Sequence, residues 1–208
     1  MNKVLIIGVI LLVLFVTVGG FLYYNRTQGV QDAVSNPTTL NPGTNGGISP
    51  TPNPLGASGS SFMDPNGVFT VLYPADYELD TSDPIHPRIF KRGETQRPQT
   101  ELYDGALIVF ESVDLGNQTL SSFLDARIKD ATQNGMQEVI TPKTAASFNN
   151  YSGYTYTLRG LGETTYTVIQ KDANSSSALI ISTLVADPEN KGYQQEVNAT
   201  LNSITLLK

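Results

Sequence analysis

The pattern of hydrophobic and polar positions divides the chain into three parts. The first contains residues 4–24, which begin at Val4, end at Tyr24 and form 21 consecutive residues without a charge. As a helix they would measure roughly 32 Å at about 1.5 Å per residue, which matches a bilayer hydrocarbon core of about 30 Å. The pattern therefore predicts that residues 1–26 form an N-terminal transmembrane anchor that holds the chain in the membrane.

Positive charge predicts how this anchor is oriented. Lys3 precedes the stretch, and the chain has no Lys or Arg between Arg26 and Arg88. This asymmetry places the N-terminus in the cytoplasm and the rest of the chain outside a cell membrane, as a single-pass protein. The alternative is a signal peptide cleaved after Gly19 or Gly20, which would leave a secreted domain. Because the apolar run continues through residues 21–24, the uncleaved anchor is favoured.

Residues 27–61 have a second, distinct composition. Of these 35 residues, 25 are Gly, Pro, Ser, Thr or Asn, and only Asp32 is charged. Such a segment buries too little apolar surface to offset its chain entropy, so we predict a disordered, flexible linker. Its root-mean-square reach as a coil is roughly 33 Å. The linker either lets the following domain reach a partner or acts as a passive spacer.

Residues 62–208 contain short runs of β-branched, aromatic and apolar residues that predict strands. These runs are 68–73, 88–91, 106–111, 136–140, 151–158, 164–171 and 178–185, with a last extended piece at 205–207. The glycine-bearing residues 159–163 separate two of them, which predicts a β-hairpin.

Two segments have helical spacing instead. In residues 120–134 the apolar side chains recur at positions that share one helix face, with Thr119 placed to cap the start and Gly135 to end the helix. A second helix is predicted to begin at Asp187, because an acid there is followed by proline and a further acid. Its apolar face would carry Tyr193, Val197, Leu201 and Ile204. Segregated strands and helices of this kind predict an α+β extracytoplasmic domain, an antiparallel β-sheet packed with two main α-helices.

The domain opens with FMDPNGVFTVLYPADYEL, in which a glycine and a short strand are followed by Tyr-Pro. An apolar strand, the helix LSSFLDARIKD, the strand YSGYTYTL and the final NSITLL come after it in that order. In these landmarks and their order the domain resembles the PsbP-like domains, the family of the extrinsic photosystem II protein. The resemblance implies a sheet covered by helices in an extracytoplasmic module that is usually non-catalytic. Nothing in these residues supports carrying over the plant protein's role in oxygen evolution.

Composition narrows the classes of function. Residues 62–208 carry 11 basic and 18 acidic residues, a net charge of −7, which repels phosphate backbones, so we predict no nucleic-acid partner. The chain has no cysteine, which excludes disulfides, thiolate metal sites and thiol nucleophiles.

No catalytic signature is present in the sequence. His86 is the only histidine, so a Ser-His-Asp triad would depend on it entirely, and its position in the loop DPIHPR favours an exposed residue without a role. Nucleotide-binding glycine loops and zinc-binding motifs are missing, and we predict no cofactor, no metal and no catalytic residue. A weak candidate for Ca²⁺ is the run of alternate acids Asp76, Glu78, Asp80 and Asp83, although it lacks the glycine and distal glutamate of an EF-hand loop.

Two groups of residues are candidates for binding a partner. One is a basic island in the acidic domain, formed by Arg88, Lys91, Arg92 and Arg97, which would attract an anionic wall polymer or acidic protein surface. The other is the tyrosine pair Tyr154 and Tyr156, which share one face of a predicted strand and would stack on a glycan or peptide if exposed. A plainer interpretation is that the basic residues form local ion pairs and that the two tyrosines pack in the core.

Three hypotheses for function follow. The leading one is a membrane-anchored, non-catalytic module that binds a protein or cell-envelope component. The first alternative is an envelope-directed hydrolase that uses carboxylate or Ser/Lys chemistry, which requires a cleft in which such groups meet. The second alternative is a sensory or assembly subunit of a membrane complex.

Overall fold

The computed structural model of the chain describes residues 59–98 and 100–207. The predicted anchor and nearly all of the predicted linker lie outside these residues. Within the described part, neither helix has the length and apolar character needed to cross a membrane.

Ten strands and two helices make up the described part. In chain order they are β1 (Ser60–Met63), β2 (Phe69–Tyr73), β3 (Glu78–Asp80), β4 (Arg88–Arg92), β5 (Gly105–Asp114), α1 (Leu120–Thr132), β6 (Glu138–Phe148), β7 (Tyr151–Arg159), β8 (Glu163–Gln170), β9 (Ser177–Ala186), α2 (Tyr193–Asn202) and β10 (Thr205–Leu206). Strand β1 begins at Ser60, two residues ahead of the predicted start of the domain.

These strands form two antiparallel sheets. The larger sheet has seven strands in the order β3-β4-β5-β9-β8-β7-β6, and the smaller has three in the order β1-β2-β10. Every pair is antiparallel, and β7 and β8 form the predicted hairpin in direct succession. The predicted α+β class with an antiparallel sheet and two main helices is therefore confirmed, with the strands divided between two sheets.

One face of the seven-stranded sheet carries the main hydrophobic core. Phe110 of β5 is fully buried there and stacks on Phe69 of the small sheet, with 4.9 Å between ring centroids. The apolar face of α2 packs into the same core through Val197 and Leu201, as the helical spacing predicted. Each of these side chains contributes about 1.5–3 kcal/mol by leaving water.

Helix α1 covers part of the opposite face. Its Leu120 and Leu124 are buried in a second cluster with Tyr156 and Leu158 of β7 and Val168 of β8. The Thr119 hydroxyl accepts a hydrogen bond from the Ser122 backbone N–H at 3.2 Å, which confirms the predicted N-cap. The sheet is thus sandwiched between the small sheet with α2 on one side and α1 on the other.

Two of the predicted boundaries differ most from the structure. Helix α2 begins at Tyr193 and not at Asp187, because the Asp187 carboxylate accepts hydrogen bonds from the backbone of Lys191, Gly192 and Tyr193 across an intervening turn. Strand β6 extends to Phe148, eight residues past its predicted end, because pairing with β7 continues beyond the register shifts on either side of Thr141.

Candidate ligand-binding cleft

A cleft of about 730 Å³ opens at one end of the large sheet, on the same face as α1. Its floor is made by β6, β7 and β8, one wall by residues 116–121 at the start of α1, and the other wall by the β8–β9 turn at residues 172–176. Two smaller cavities measure about 210 and 290 Å³. The volume of the cleft, about 730 Å³, lies in the roughly 300–1,000 Å³ range of small-molecule binding sites.

Strand register brings the floor residues together. Ser152 lies opposite Ser147 of β6 and opposite Gln170 of β8, and the neighbouring row pairs Tyr154 with Ala145. Since side chains two residues apart on a strand share a face, the Ser152 and Tyr154 side chains line the same floor.

Close contact between β7 and β8 is possible only because β7 has a glycine at this point. A Cβ on Gly153 would lie 1.8 Å from the Val168 carbonyl oxygen. Gly153 itself is buried and lines the cleft. The glycine therefore lets the strands that form the floor pack at normal spacing.

Local hydrogen bonds fix both walls. On one wall the Leu115 backbone N–H donates to the Ser176 carbonyl at 2.7 Å, which ties the approach to α1 to the β8–β9 turn. On the other, the Gln170 side-chain amide donates to the Ser175 carbonyl at 3.0 Å. The Asp172 carboxylate accepts from the Asn174 backbone N–H at 2.9 Å. The walls are thus held by backbone-directed contacts that leave other side chains of the cleft available.

Six exposed side chains in the cleft make no hydrogen bond within the described residues. They are the carboxamides of Asn117, Gln118 and Asn174 and the hydroxyls of Ser147, Ser152 and Ser176. Together they provide both donors and acceptors, because an amide offers an N–H₂ and a carbonyl and a hydroxyl offers one of each kind. Asp172 is the one charged residue among those that line this cleft.

Tyr154, a predicted binding residue, lines the cleft, and Lys143 lies against its ring. The Lys143 Nζ is 5.1 Å from the ring centroid, a cation–π distance. The same Nζ lies 2.8 Å from Ser121 Oγ, 2.9 Å from the Ser121 carbonyl oxygen and 2.6 Å from Asp125 Oδ1. Lys143 therefore joins strand β6 to α1 beside the cleft.

Tyr156, the second predicted tyrosine, is not available for binding. It is 1% exposed and stacks on Tyr166 with 4.7 Å between ring centroids. Burial raises the pKa of Tyr156 to about 12, despite the opposing effect of the nearby Arg127 guanidinium. Tyr156 shares a face with Tyr154, as predicted, but lies farther under α1, whose Arg127 pairs with Glu111 at 2.5 Å.

The predicted basic island is divided by the strand geometry. Arg88 pairs with Asp80 at 2.5 Å, and the Arg92 guanidinium lies 4.9 Å from the Phe90 ring centroid. Lys91 points to the opposite face of β4, and Arg97 lies in the β4–β5 loop. The four cations therefore do not form one continuous surface.

Lys91 is instead enclosed by acids and aromatic rings. Its Nζ lies 2.6 Å from Asp76 Oδ2 and 3.2 Å from Glu196 Oε2, and 5.4 and 5.2 Å from the ring centroids of Tyr77 and Tyr193. Burial alone would lower the pKa of Lys91, but the hydrogen bonds and charges of the two carboxylates outweigh it and raise that pKa. These contacts attach β4 to α2.

The four acids of the weak Ca²⁺ candidate are not brought together. Asp76 pairs with Lys91 and Asp80 with Arg88, while Asp83 lies 2.9 Å from the His86 Nδ1, and Glu78 is exposed. In the described ranges no group of three or more acidic or histidine side chains is arranged to hold a metal ion.

His86 is exposed and lies beside one acid. Its described hydrogen bonds are with Asp83 alone, so within this part of the chain no serine hydroxyl completes a triad. Among the described residues the single histidine therefore has no nucleophile to activate.

Of the residues that line the cleft, sequence reasoning singled out Tyr154 but not the amides and hydroxyls around it. Asn117, Gln118 and Asn174 come from two loops about 55 residues apart in the chain, and Ser147 and Ser152 from strand ends. Polar residues in loops are common everywhere, so only the strand register shows that these particular ones converge.

Comparison with known proteins provides a likeness of fold. No protein-family model and no curated protein sequence matches the chain. Among solved structures it is similar to the cyanobacterial PsbP of Synechocystis, with a TM-score of 0.48 and 13% identity, covering 79% of this chain and 98% of that one.

Two further solved structures are similar. The Ran-binding protein Mog1p of Saccharomyces cerevisiae has a TM-score of 0.46 and 10% identity, covering 73% of this chain and 96% of that one. LpqN of Mycobacterium tuberculosis, described as involved in cell envelope biogenesis, has a TM-score of 0.40 and 14% identity, covering 74% of this chain and 87% of that one. The predicted resemblance to PsbP-like domains thus has a counterpart among the solved structures, and at these identities and TM-scores it says nothing about function.

Proposed function

We propose that this protein is a membrane-anchored, extracytoplasmic module that binds a component of the cell envelope without catalysing a reaction. In this proposal residues 4–24 stay in the membrane as the anchor, and residues 27–61 act as a flexible linker. The domain then presents the cleft at a distance from the lipid. The hydropathy and charge of the N-terminal part support the anchor and its orientation.

The observation that carries the binding role is the set of unpaired polar groups in the cleft. Six exposed amides and hydroxyls surround a cavity of about 730 Å³ and make no hydrogen bond within the described residues. Binding sites characteristically combine such a cavity with a small number of polar groups that orient the ligand. A second carboxylate, which acid–base hydrolysis of a glycosidic bond requires, is not among the residues that line this cleft.

Site-specific photocrosslinking in native membranes tests this proposal. The full-length chain would carry benzoylphenylalanine in place of Asn117 in the cleft or, as a control, in place of Gln195, an exposed residue of α2 on the other side of the sheet. We expect an adduct from position 117 and none from position 195. The proposal is wrong if position 117 forms no adduct with any envelope component, or if both positions crosslink equally.

One contact favours the hydrolase alternative, and its geometry argues against it. Ser121 Oγ lies 2.8 Å from Lys143 Nζ at the edge of the cleft, the arrangement that Ser/Lys chemistry would use. However, the same Nζ also has the Ser121 carbonyl and the Asp125 carboxylate as neighbours, and both of these can only accept hydrogen bonds. Two of the hydrogen bonds of Lys143 therefore go to structural partners, which favours a role in joining β6 to α1 over Ser/Lys chemistry.

A covalent probe distinguishes the two functions. A fluorophosphonate added to the full-length protein should not label Ser121 if the lysine is an ammonium that only stabilises the structure. Stoichiometric labelling that disappears in Ser121→Ala would instead establish the hydrolase. The exposed Ser122→Ala serves as a control for labelling elsewhere on the same helix turn.

A further inference from the structure

Resting on the proposed function, we infer that the cleft binds a neutral, hydroxyl-rich glycan segment. Tyr154 lies in the floor, while Asn117 and Gln118 on one wall face Asn174 and Ser176 on the other. The inference depends on the kind of polar group in the cleft, on its charge, and on how the backbone of the floor is paired.

The polar groups match a ligand whose every hydroxyl both donates and accepts. Three carboxamides and three hydroxyls line the cleft without partners in the described residues. Each carboxamide can donate to one ligand oxygen and accept from another, and each side-chain hydroxyl can do the same. A ligand carrying only acceptors, such as a phosphate, would leave the carbonyl halves of these amides unused.

Charge argues against an anionic ligand. Among the residues that line the cleft, none is Lys or Arg, and the single charge is the Asp172 carboxylate. Lys143, whose Nζ lies against the ring of the floor residue Tyr154, is occupied by Ser121 and Asp125. Phosphate-bearing or strongly acidic polymers would therefore meet no compensating charge in the cleft.

Backbone pairing argues against an extended peptide added as a strand. Strand addition requires a row of unpaired backbone groups. Of the three floor strands, β7 is hydrogen-bonded to β6 and β8, and β8 to β7 and β9, so only the edge strand β6 has one side without a partner strand in the described residues. That side is the edge of the sheet, whereas the cleft lies on its face. The cleft therefore offers side chains to its ligand, and an aromatic ring, Tyr154, against which the apolar face of a sugar can pack.

Saturation-transfer NMR on the full-length protein in lipid nanodiscs provides the test. The probes are chitotriose in its N-acetylated form, cellotriose, maltotriose and mannotriose, compared with trialanine and tripolyphosphate. Each would be used at up to about 10 mM, which is sufficient to detect a dissociation constant of roughly 1 mM. We expect signal from at least one neutral trisaccharide and none from trialanine or tripolyphosphate.

Matched variants locate the binding. The double variant Asn117→Ala/Asn174→Ala should weaken binding about 10-fold or more, from the loss of two hydrogen-bonding groups. Both residues are exposed and make no side-chain hydrogen bond in the described ranges, so the fold should tolerate the change. Tyr154→Ala should abolish the signal while Tyr154→Phe keeps it, and Gln195→Ala should bind as the wild type does.

Each outcome decides the inference. It is overturned if none of the four trisaccharides gives a signal, or if a signal survives unchanged in both the double variant and Tyr154→Ala. Crosslinking from position 117 to a protein, together with silent trisaccharides, would overturn the glycan inference and leave the proposed binding function intact. If position 117 forms no adduct and no trisaccharide gives a signal, both the glycan inference and the proposed binding function are wrong.

Discussion

Lys143 is the residue that joins the edge strand of the large sheet to the helix beside the cleft. Its side chain is 14% exposed, although its partner Asp125 is 66% exposed. Because the Asp125 carboxylate is largely in water, most of the stabilisation should come from the hydrogen bonds to Ser121 and the contact with Tyr154.

We expect Lys143→Met to lower the free energy of unfolding by about 1–2 kcal/mol. Replacing the lysine removes the donor to the Ser121 carbonyl while a side chain of similar length is kept. Urea denaturation of the full-length protein measures the change. The exposed Lys129→Met on α1 is the control and should change stability by less than about 0.5 kcal/mol. Equal effects of the two substitutions would contradict the assigned role.

Acid stability should depend on Asp80. Burial opposes ionisation of this carboxyl, but the hydrogen bonds from Ser82 and from the Arg88 guanidinium outweigh it and lower its pKa from 3.8 to about 2. Because the folded-state pKa lies below the unfolded one, the contribution of Asp80 to stability is complete above pH 3.8 and is lost as the pH falls towards about 2.

The measurement is the free energy of unfolding at a series of pH values between about 5 and 2. We expect Asp80→Asn to flatten the loss of stability over this range, because the amide has no proton to bind. Arg88→Met, which removes the paired cation but leaves the Ser82 hydrogen bonds, should have an intermediate effect. A wild-type pH profile in Asp80→Asn would show that this carboxyl is not the group responsible.

At the scale of secondary structure, the β7–β8 hairpin is the element on which the cleft depends most directly. Its close approach requires the missing side chain at Gly153, whose added Cβ would meet the Val168 carbonyl oxygen at 1.8 Å. A backbone atom cannot move aside as a flexible side chain can, so the two strands would have to separate.

Gly153→Ala should therefore destabilise the domain by roughly 2–3 kcal/mol. Gly116→Ala is an informative control, because Gly116 has a φ of +58° but nothing within 4 Å of its added Cβ. That substitution carries only the backbone strain of about 1 kcal/mol. Thermal and urea unfolding of both variants would test whether Gly153→Ala loses more stability than Gly116→Ala. A smaller loss of stability at Gly153 than at Gly116 would refute the steric argument.

Individual elements differ in how far local sequence predicts them. Helix α1 could be predicted because its N-cap, its apolar face and the glycine after it are all within the helix or next to it in the sequence. Strand β6 was predicted eight residues too short, since ITPKTAASF has neither clear alternation nor a long apolar run. Pairing with β7 keeps it extended, which is a tertiary effect.

At the scale of the whole molecule, the predicted topology can be tested by cysteine labelling. The chain has no cysteine, so single substitutions give unambiguous sites. We expect a membrane-impermeant maleimide to label the exposed Asn134→Cys in intact spheroplasts and to reach Asn2→Cys only after permeabilisation.

Intact-mass measurement of the membrane-bound protein completes this test. A full-length mass supports the uncleaved anchor, whereas a chain beginning at Gly20 or Phe21 supports the cleaved signal peptide. Protection of Asn134→Cys in intact spheroplasts would contradict the predicted orientation of the domain.

The sequence alone was sufficient for features that depend on neighbouring residues. It predicted the α+β class, the β7–β8 hairpin, the cap of α1 and the apolar faces of both helices, because hydrophobic periodicity and capping are local signals. Only the tertiary structure decided which polar residues converge. It separated Arg88 from Lys91 across a strand, buried Tyr156 beside an accessible Tyr154, and brought Asn117 and Asn174 to opposite walls of one cleft. The physical reason is that strand register and helix placement bring residues that are distant in the chain together, and no local pattern encodes that distance.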